Sequence, residues 1–193
     1  TTHKVLRGGR GGIILTNRED LYKKINSAVF PGYQGGPLMH VIAAKAVCFL
    51  EASQPEFVEY QQNVKSNAHT LASSLTDGGL RIVSGGTDNH LMIVDVSSLG
   101  ITGEDAENTL AMGGVSANKN TIPNDPRPPR VTSGLRLGTP AITSRGFGAS
   151  EVEQVSEMIL RTLKSNGNQG VLRTIKKQVT ELTSRFPAPG IIS

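Results

Sequence analysis

The chain has 193 residues, 37% of them hydrophobic and 19% charged, a composition expected of an ordinary globular protein able to bury a real core. Its net charge of +4 is scattered rather than clustered, aromatics make up 4% and tryptophan is absent, which argues against nucleic-acid binding. There is neither an apolar run of the roughly 18 residues that a membrane span needs nor a secretory apolar segment, and the single cysteine, Cys48, excludes an internal disulfide and points to a reducing, cytoplasmic setting.

In chain order, Thr1-Thr2-His3-Lys4 leads into a segment with glycines at 8, 9, 11 and 12. Glycines let the backbone approach a ligand, and a lysine amine can form a Schiff base with an aldehyde cofactor. Residues 11–16 read as a short buried strand. Thr16 and Glu19 then have the spacing of a capping box, opening a helix to about Val29 with Leu21, Ile25 and Val29 on one face. A loop over residues 30–36 follows, with Pro37 as first residue of a helix reaching about Ala52. That helix is apolar almost all round, so it is expected to be buried in a core or a subunit interface, with Cys48 as inert core.

A long helix is predicted from Pro55 to Leu75, ending at Asp77-Gly78-Gly79. Residues 80–83 and 90–96 read as strands, Gly103 to Met112 as a helix capped by Thr102, and residues 115–117 and 134–138 as further strands. Ser150 and Glu153 suggest another capping box, followed by a stripe of Val152, Val155, Ile159 and Leu163. A last stripe runs Leu172, Ile175, Val179, Leu182, Phe186 before Pro187. The implied fold class is α/β with an α+β C-terminal domain: residues 1–53 as part of a larger α/β domain and 54–193 as a small α+β domain.

Three segments carry candidate chemistry. Lys4 is the first. Gly35 and Gly36 abut a helix N-terminus, where amides and the dipole attract an anion such as phosphate, although a plain turn reads equally well. Arg136 lies in an otherwise apolar strand flanked by Gly134 and Gly138. Its planar fork suits a carboxylate, and an internal salt bridge is the alternative. His3, His40, His69 and His90 are dispersed and no Cys/His spacing forms a metal site.

Taken together, Thr1-Thr2-His3-Lys4, the segment Phe30 to His40, Ser84-Gly85-Gly86-Thr87-Asp88-Asn89-His90, Asn118 to Pro123, and Thr132 to Arg136 continuing to Gly146-Phe147 are similar to the C-terminal half of serine hydroxymethyltransferase. The resemblance implies a fold type I pyridoxal-phosphate transferase with an incomplete large domain. It interconverts serine plus tetrahydrofolate and glycine plus methylenetetrahydrofolate. On this resemblance Lys4 matches the lysine that holds pyridoxal phosphate covalently, and His3 a residue near the cofactor phosphate. Arg10 matches an arginine that helps hold the active-site loop, and Gly35 and Gly36 match glycines whose amides reach a neighbouring subunit's phosphate. Arg136 matches the arginine gripping the amino-acid carboxylate, and Asn120, Pro128, Pro129 and Arg130 match the folate-contacting region.

The chain departs from the family at Gly9, commonly proline, and at Pro128-Pro129-Arg130, commonly Ser-Pro-Phe. The family's phosphate cradle, ring-stacking residue, acidic ring partner and catalytic glutamate precede the lysine and are not among these residues. A longer enzyme or a second chain is expected to supply them, with a homodimer or higher homo-oligomer as the assembly. Two alternatives stand beside this reading: a non-catalytic domain that only assembles with a partner, and another fold type I enzyme such as a threonine aldolase.

Overall fold

The computed structural model describes residues 1–190, which divide into two units, Thr1–Glu59 and Tyr60 onward. The first unit holds helix α1 (Glu19–Ser27), a helical turn over Ala28–Tyr33 interrupted at Phe30, helix α2 (Met39–Ala52) and the start of helix α3 (Pro55–Asp77). Residues 11–16, expected as a buried strand, form none, and Ile13, Ile14 and Leu15 are exposed. A strand needs a ladder partner for its backbone groups, and all four described strands lie in the second unit.

Two helix starts fall later than their sequence signals. The Thr16 hydroxyl accepts from the Arg18 amide at 3.1 Å instead of capping the helix, and Arg18 is drawn to Asp20 at 2.7 Å. Pro37 lies outside α2, whose cap position is Leu38. Within this chain α2 buries Cys48 alone, while Met39 is 65% and Leu50 66% exposed. The expectation that this helix is buried is therefore not met by the chain's own residues.

The second unit is built on a four-stranded antiparallel sheet, β1 (Arg81–Ile82), β2 (Leu91–Asp95), β3 (Asn118–Asn120) and β4 (Gly134–Gly138), ordered β1-β2-β4-β3. One face is apolar: Ile82, Met92, Val94, Leu135 and Leu137 are buried. They join Leu71 and Leu75 of α3 and helices α4 (Gly103–Met112) and α6 (Ala149–Lys164), through Ala106, Leu110, Val152, Ile159 and Leu163. Burying a side chain of this size contributes about 1.5–3 kcal/mol, so this packing sets which way each strand faces. A smaller cluster of Phe147, Met158, Ile175 and Leu182 seats helix α7 (Gln169–Ser184).

Three expectations are corrected here. The strand foreseen at residues 115–117 lies at β3, because only Asn118–Asn120 runs alongside β4. The cap of α6 is Gly148, whose amide donates to Glu151 Oε2 at 3.0 Å, so the Ser150 and Glu153 pair is not the box. A short helix α5 (Pro140–Ser144) was not foreseen, although Pro140 sits at its first turn.

The N-terminus of α4 is the tightest junction near the site. Thr102 and Asp105 form the reciprocal capping box, at 3.0 and 3.1 Å. The Gly103 and Glu104 amides then donate to the carbonyls of Thr132 and Val131. A Cβ on Gly103 would lie 2.6 Å from the Gly134 carbonyl oxygen and collide with the Thr132 hydroxyl. Gly103→Ala should therefore cost about 1–3 kcal/mol by overpacking, read in urea as a lower midpoint with an unchanged slope.

Candidate functional site

Lys4 stands on a loop that closes on itself through Thr2. The Thr2 amide donates to the Gly11 carbonyl at 3.1 Å, and the Gly8 amide donates to the Thr2 carbonyl at 2.8 Å. The buried Thr2 hydroxyl is 2.7 Å from the Gly9 carbonyl. Within the ring, the Arg7 amide donates to the Lys4 carbonyl at 2.9 Å, and Arg7 takes a φ of 60° to complete the turn. The loop is fastened to α2. Cys48 Sγ donates to the Leu6 carbonyl at 3.1 Å and Lys45 Nζ to that of Gly12 at 3.1 Å. Gly8 is required here, since a Cβ would lie 2.6 Å from Cys48 Sγ. Cys48 is thus buried, as its setting implied.

This closure leaves the Lys4 side chain exposed, with no hydrogen bond or ion pair to any described residue. His3 is turned inward: its Nδ1 accepts from the Gly11 amide at 3.3 Å, so Nε2 carries the proton when the ring is neutral. Arg10 is exposed between the two glycines whose carbonyls Thr2 engages. Gly35 and Gly36 are exposed, with no described atom near a Cβ placed on either. They precede the cap of α2 rather than forming its first turn, so the helix-end amides nearest the dipole are those of Met39 and His40.

In the second unit Arg136 is exposed while Leu135 and Leu137 beside it are buried, as expected where one face of a strand is covered. No acid among the described residues pairs with it, so the internal salt bridge considered for this arginine is not formed. Asn118 and Asn120 of β3 lie on the same face, opposite Arg136 and Gly134.

Residues 128–130 lie exposed in the connection from β3 to β4, and Asp125 organises that connection. Its carboxylate accepts from the Ile122 amide (3.2 Å), the Arg127 amide (3.0 Å), the Ser133 amide (2.9 Å) and the Ser133 hydroxyl (2.6 Å). Arg127 Nη1 then donates to the Ile101 carbonyl at 2.9 Å. Sequence reasoning missed Asp125. Its signal was an Asp two residues before an amide donor, across a proline.

The arrangement presents an amine on one unit and a guanidinium flanked by amides on the other, within a mixed α/β chain. The family model described as serine hydroxymethyltransferase matches residues 1–159. A protein of Afipia carboxidovorans described as serine hydroxymethyltransferase is 58% identical over 193 residues, covering 97% of this chain and 45% of that protein. One of Endomicrobium trichonymphae with the same description is 52% identical over 187 residues, with coverage of 97% and 45%. The chain belongs to the serine hydroxymethyltransferase family, and it spans a little under half the length of these relatives. Among the described residues no helix is long and apolar enough to cross a membrane, and no three potential ligands group to hold a metal ion.

Partial desolvation works against the Asp125 charge, yet the Ser133 hydroxyl and the Arg127, Ile122 and Ser133 amides outweigh it and bring its pKa to about 2. A folded-state pKa below the ordinary 3.8 means stability that is present above about pH 4 and lost as pH falls toward 2. Asp125→Asn should lower the thermal midpoint at neutral pH and flatten its decline between pH 4 and pH 2, as scanning calorimetry across that range would record.

Proposed function

We propose that this chain is the C-terminal portion of a pyridoxal-phosphate-dependent glycine hydroxymethyltransferase. That enzyme moves a one-carbon unit between serine plus tetrahydrofolate and glycine plus methylenetetrahydrofolate. The observation that carries the reading is the family match over residues 1–159, which takes in Lys4 on its self-closed loop. Lys45 Nζ is held by the Gly12 carbonyl and Lys119 Nζ by Glu104 at 3.0 Å, whereas the Lys4 amine meets no described partner. It is displayed on a loop whose backbone groups are already satisfied, an arrangement that suits covalent attachment of an aldehyde.

The residues present fit the cofactor. Lys4 would hold it covalently, His3 and Arg10 would flank it, and Gly35 and Gly36 would offer amides to the phosphate of a neighbouring subunit. When bound, pyridoxal phosphate supplies an electron sink for bonds at the substrate α-carbon. Arg136 binds the carboxylate of serine or glycine with two parallel N–H bonds, fixing the substrate's orientation. Asn120 and residues 128–130 contact the folate, on a loop that Asp125 holds in place.

In this reading residues 1–53 are the remainder of the large cofactor-binding domain and those from 54 onward the small C-terminal domain, a boundary six residues before the division of the structure after Glu59. The apolar surface of α2, including Leu38, Met39, Ile42 and Leu50, is covered in a homodimer or by the N-terminal half. The single cysteine accords with a cytoplasmic enzyme.

In the complete enzyme, borohydride reduction and peptide mapping should place the cofactor label on Lys4. A label on Lys45 or Lys119 overturns the assignment. Because Arg136 is exposed and unpaired, Arg136→Lys should weaken glycine binding on the order of ten- to a hundredfold. Its thermal midpoint and cofactor spectrum should stay in place, and unaltered glycine affinity would remove the carboxylate role.

A further inference from the structure

β4 lies between β2 and β3, so an outward side chain of β4 has a cross-strand neighbour on each side. For Arg136 these are Ile93 of β2 and Asn118 of β3. Directly opposed residues share a face with Cβ atoms about 4.5–5.5 Å apart, close enough for their side chains to act on one ligand group.

The same sheet contains its own control. Arg81 of β1 faces Asp95 of β2 in the equivalent cross-strand position, and Arg81 Nη2 lies 2.7 Å from Asp95 Oδ2. Here the acid across the ladder captures the guanidinium. Arg136 instead faces an alkyl group and a carboxamide, and neither can neutralise it. Asn118 is exposed and its side chain makes no hydrogen bond to a described residue. Asn120, two residues along the same face, is partly committed, its Nδ2 donating to the Thr121 carbonyl at 2.7 Å.

We infer that Asn118 is a second residue of the carboxylate site at Arg136 and determines its specificity. Its neutral side chain leaves the guanidinium unpaired, and its Nδ2 donates a further hydrogen bond to the carboxylate that Arg136 holds. This rests on the reading of Arg136 given above. The site so defined is a fork of guanidinium and carboxamide donors with Ile93 as an apolar flank. It selects a small carboxylate over a neutral amide or ester, because the latter leaves donors without an anion to meet.

The test uses the complete enzyme with pyridoxal phosphate bound, measuring the glycine dissociation constant and the thermal midpoint of Asn118→Ala, Asn118→Asp and Arg136→Lys. Removing a hydrogen bond to the charged carboxylate in Asn118→Ala should weaken glycine about tenfold. Asn118→Asp should weaken it more than Asn118→Ala, at least about tenfold, because the new carboxylate captures Arg136 as Asp95 captures Arg81. Neither variant should lower the midpoint. Wild-type affinity in Asn118→Asp alongside weakened binding in Arg136→Lys overturns the role of Asn118 alone. Wild-type affinity in Arg136→Lys overturns the carboxylate site itself. Loss of affinity that tracks a fallen midpoint in Asn118→Asp also overturns the inference, since it marks a structural role.

Discussion

The alternation of β4 is the constraint on which the rest of the second unit depends. Leu135 and Leu137 must enter the core shared with α3, α4 and α6. A strand has a period of two, so the residue between them must leave by the other face. A slip of one residue would put a guanidinium among leucines and expose two apolar side chains at once. Apolar burial thereby places a cation on the opposite face, and it needs no ion-pair partner among the described residues to stay there.

Both site loops are held by a single polar group that gathers several backbone atoms. Thr2 collects the amide or carbonyl groups of Gly8, Gly9 and Gly11, and Asp125 collects those of Ile122, Arg127 and Ser133. Irregular backbone near a protein surface has few ladder partners, and its groups must still be satisfied. Closing a loop through one residue does this without a neighbouring strand. Lys4 lies inside one such ring and Arg130 inside the other, and neither side chain makes a hydrogen bond or ion pair with a described residue, whereas His3 and Arg127 in the same rings do.

Much of this was legible from residue patterns. The strand around Arg136, the Thr102 cap of α4 and the long α3 helix follow from residue patterns alone, since each is a local rule with a local cause. What was not legible depended on partners distant in sequence. Residues 11–16 have the composition of a strand but no ladder neighbour among the described residues. The apolar residues of α2 say that the helix should be covered without saying by what. The capping signals at Thr16 and Ser150 were outcompeted by an Arg18–Asp20 pair and by Glu151. Asp125 escaped notice because a carboxylate that binds amides looks, in sequence, like any loop acid. The motifs around Lys4 and Arg136 pointed to the family to which the chain belongs, and both side chains are displayed outward.

Cys48 gives the Lys4 loop a built-in reporter. Its thiol is 4% exposed, wedged where a side chain on Gly8 would stand and bonded to the Leu6 carbonyl beneath the loop. A reagent can reach that sulfur only when the loop lifts from α2, and a thiolate must form before it reacts. The alkylation rate of this one cysteine is therefore a clock for loop opening, running within three residues of the loop's anchor and requiring no introduced label. Slow labelling would describe a loop that stays closed on α2, and fast labelling one that opens often.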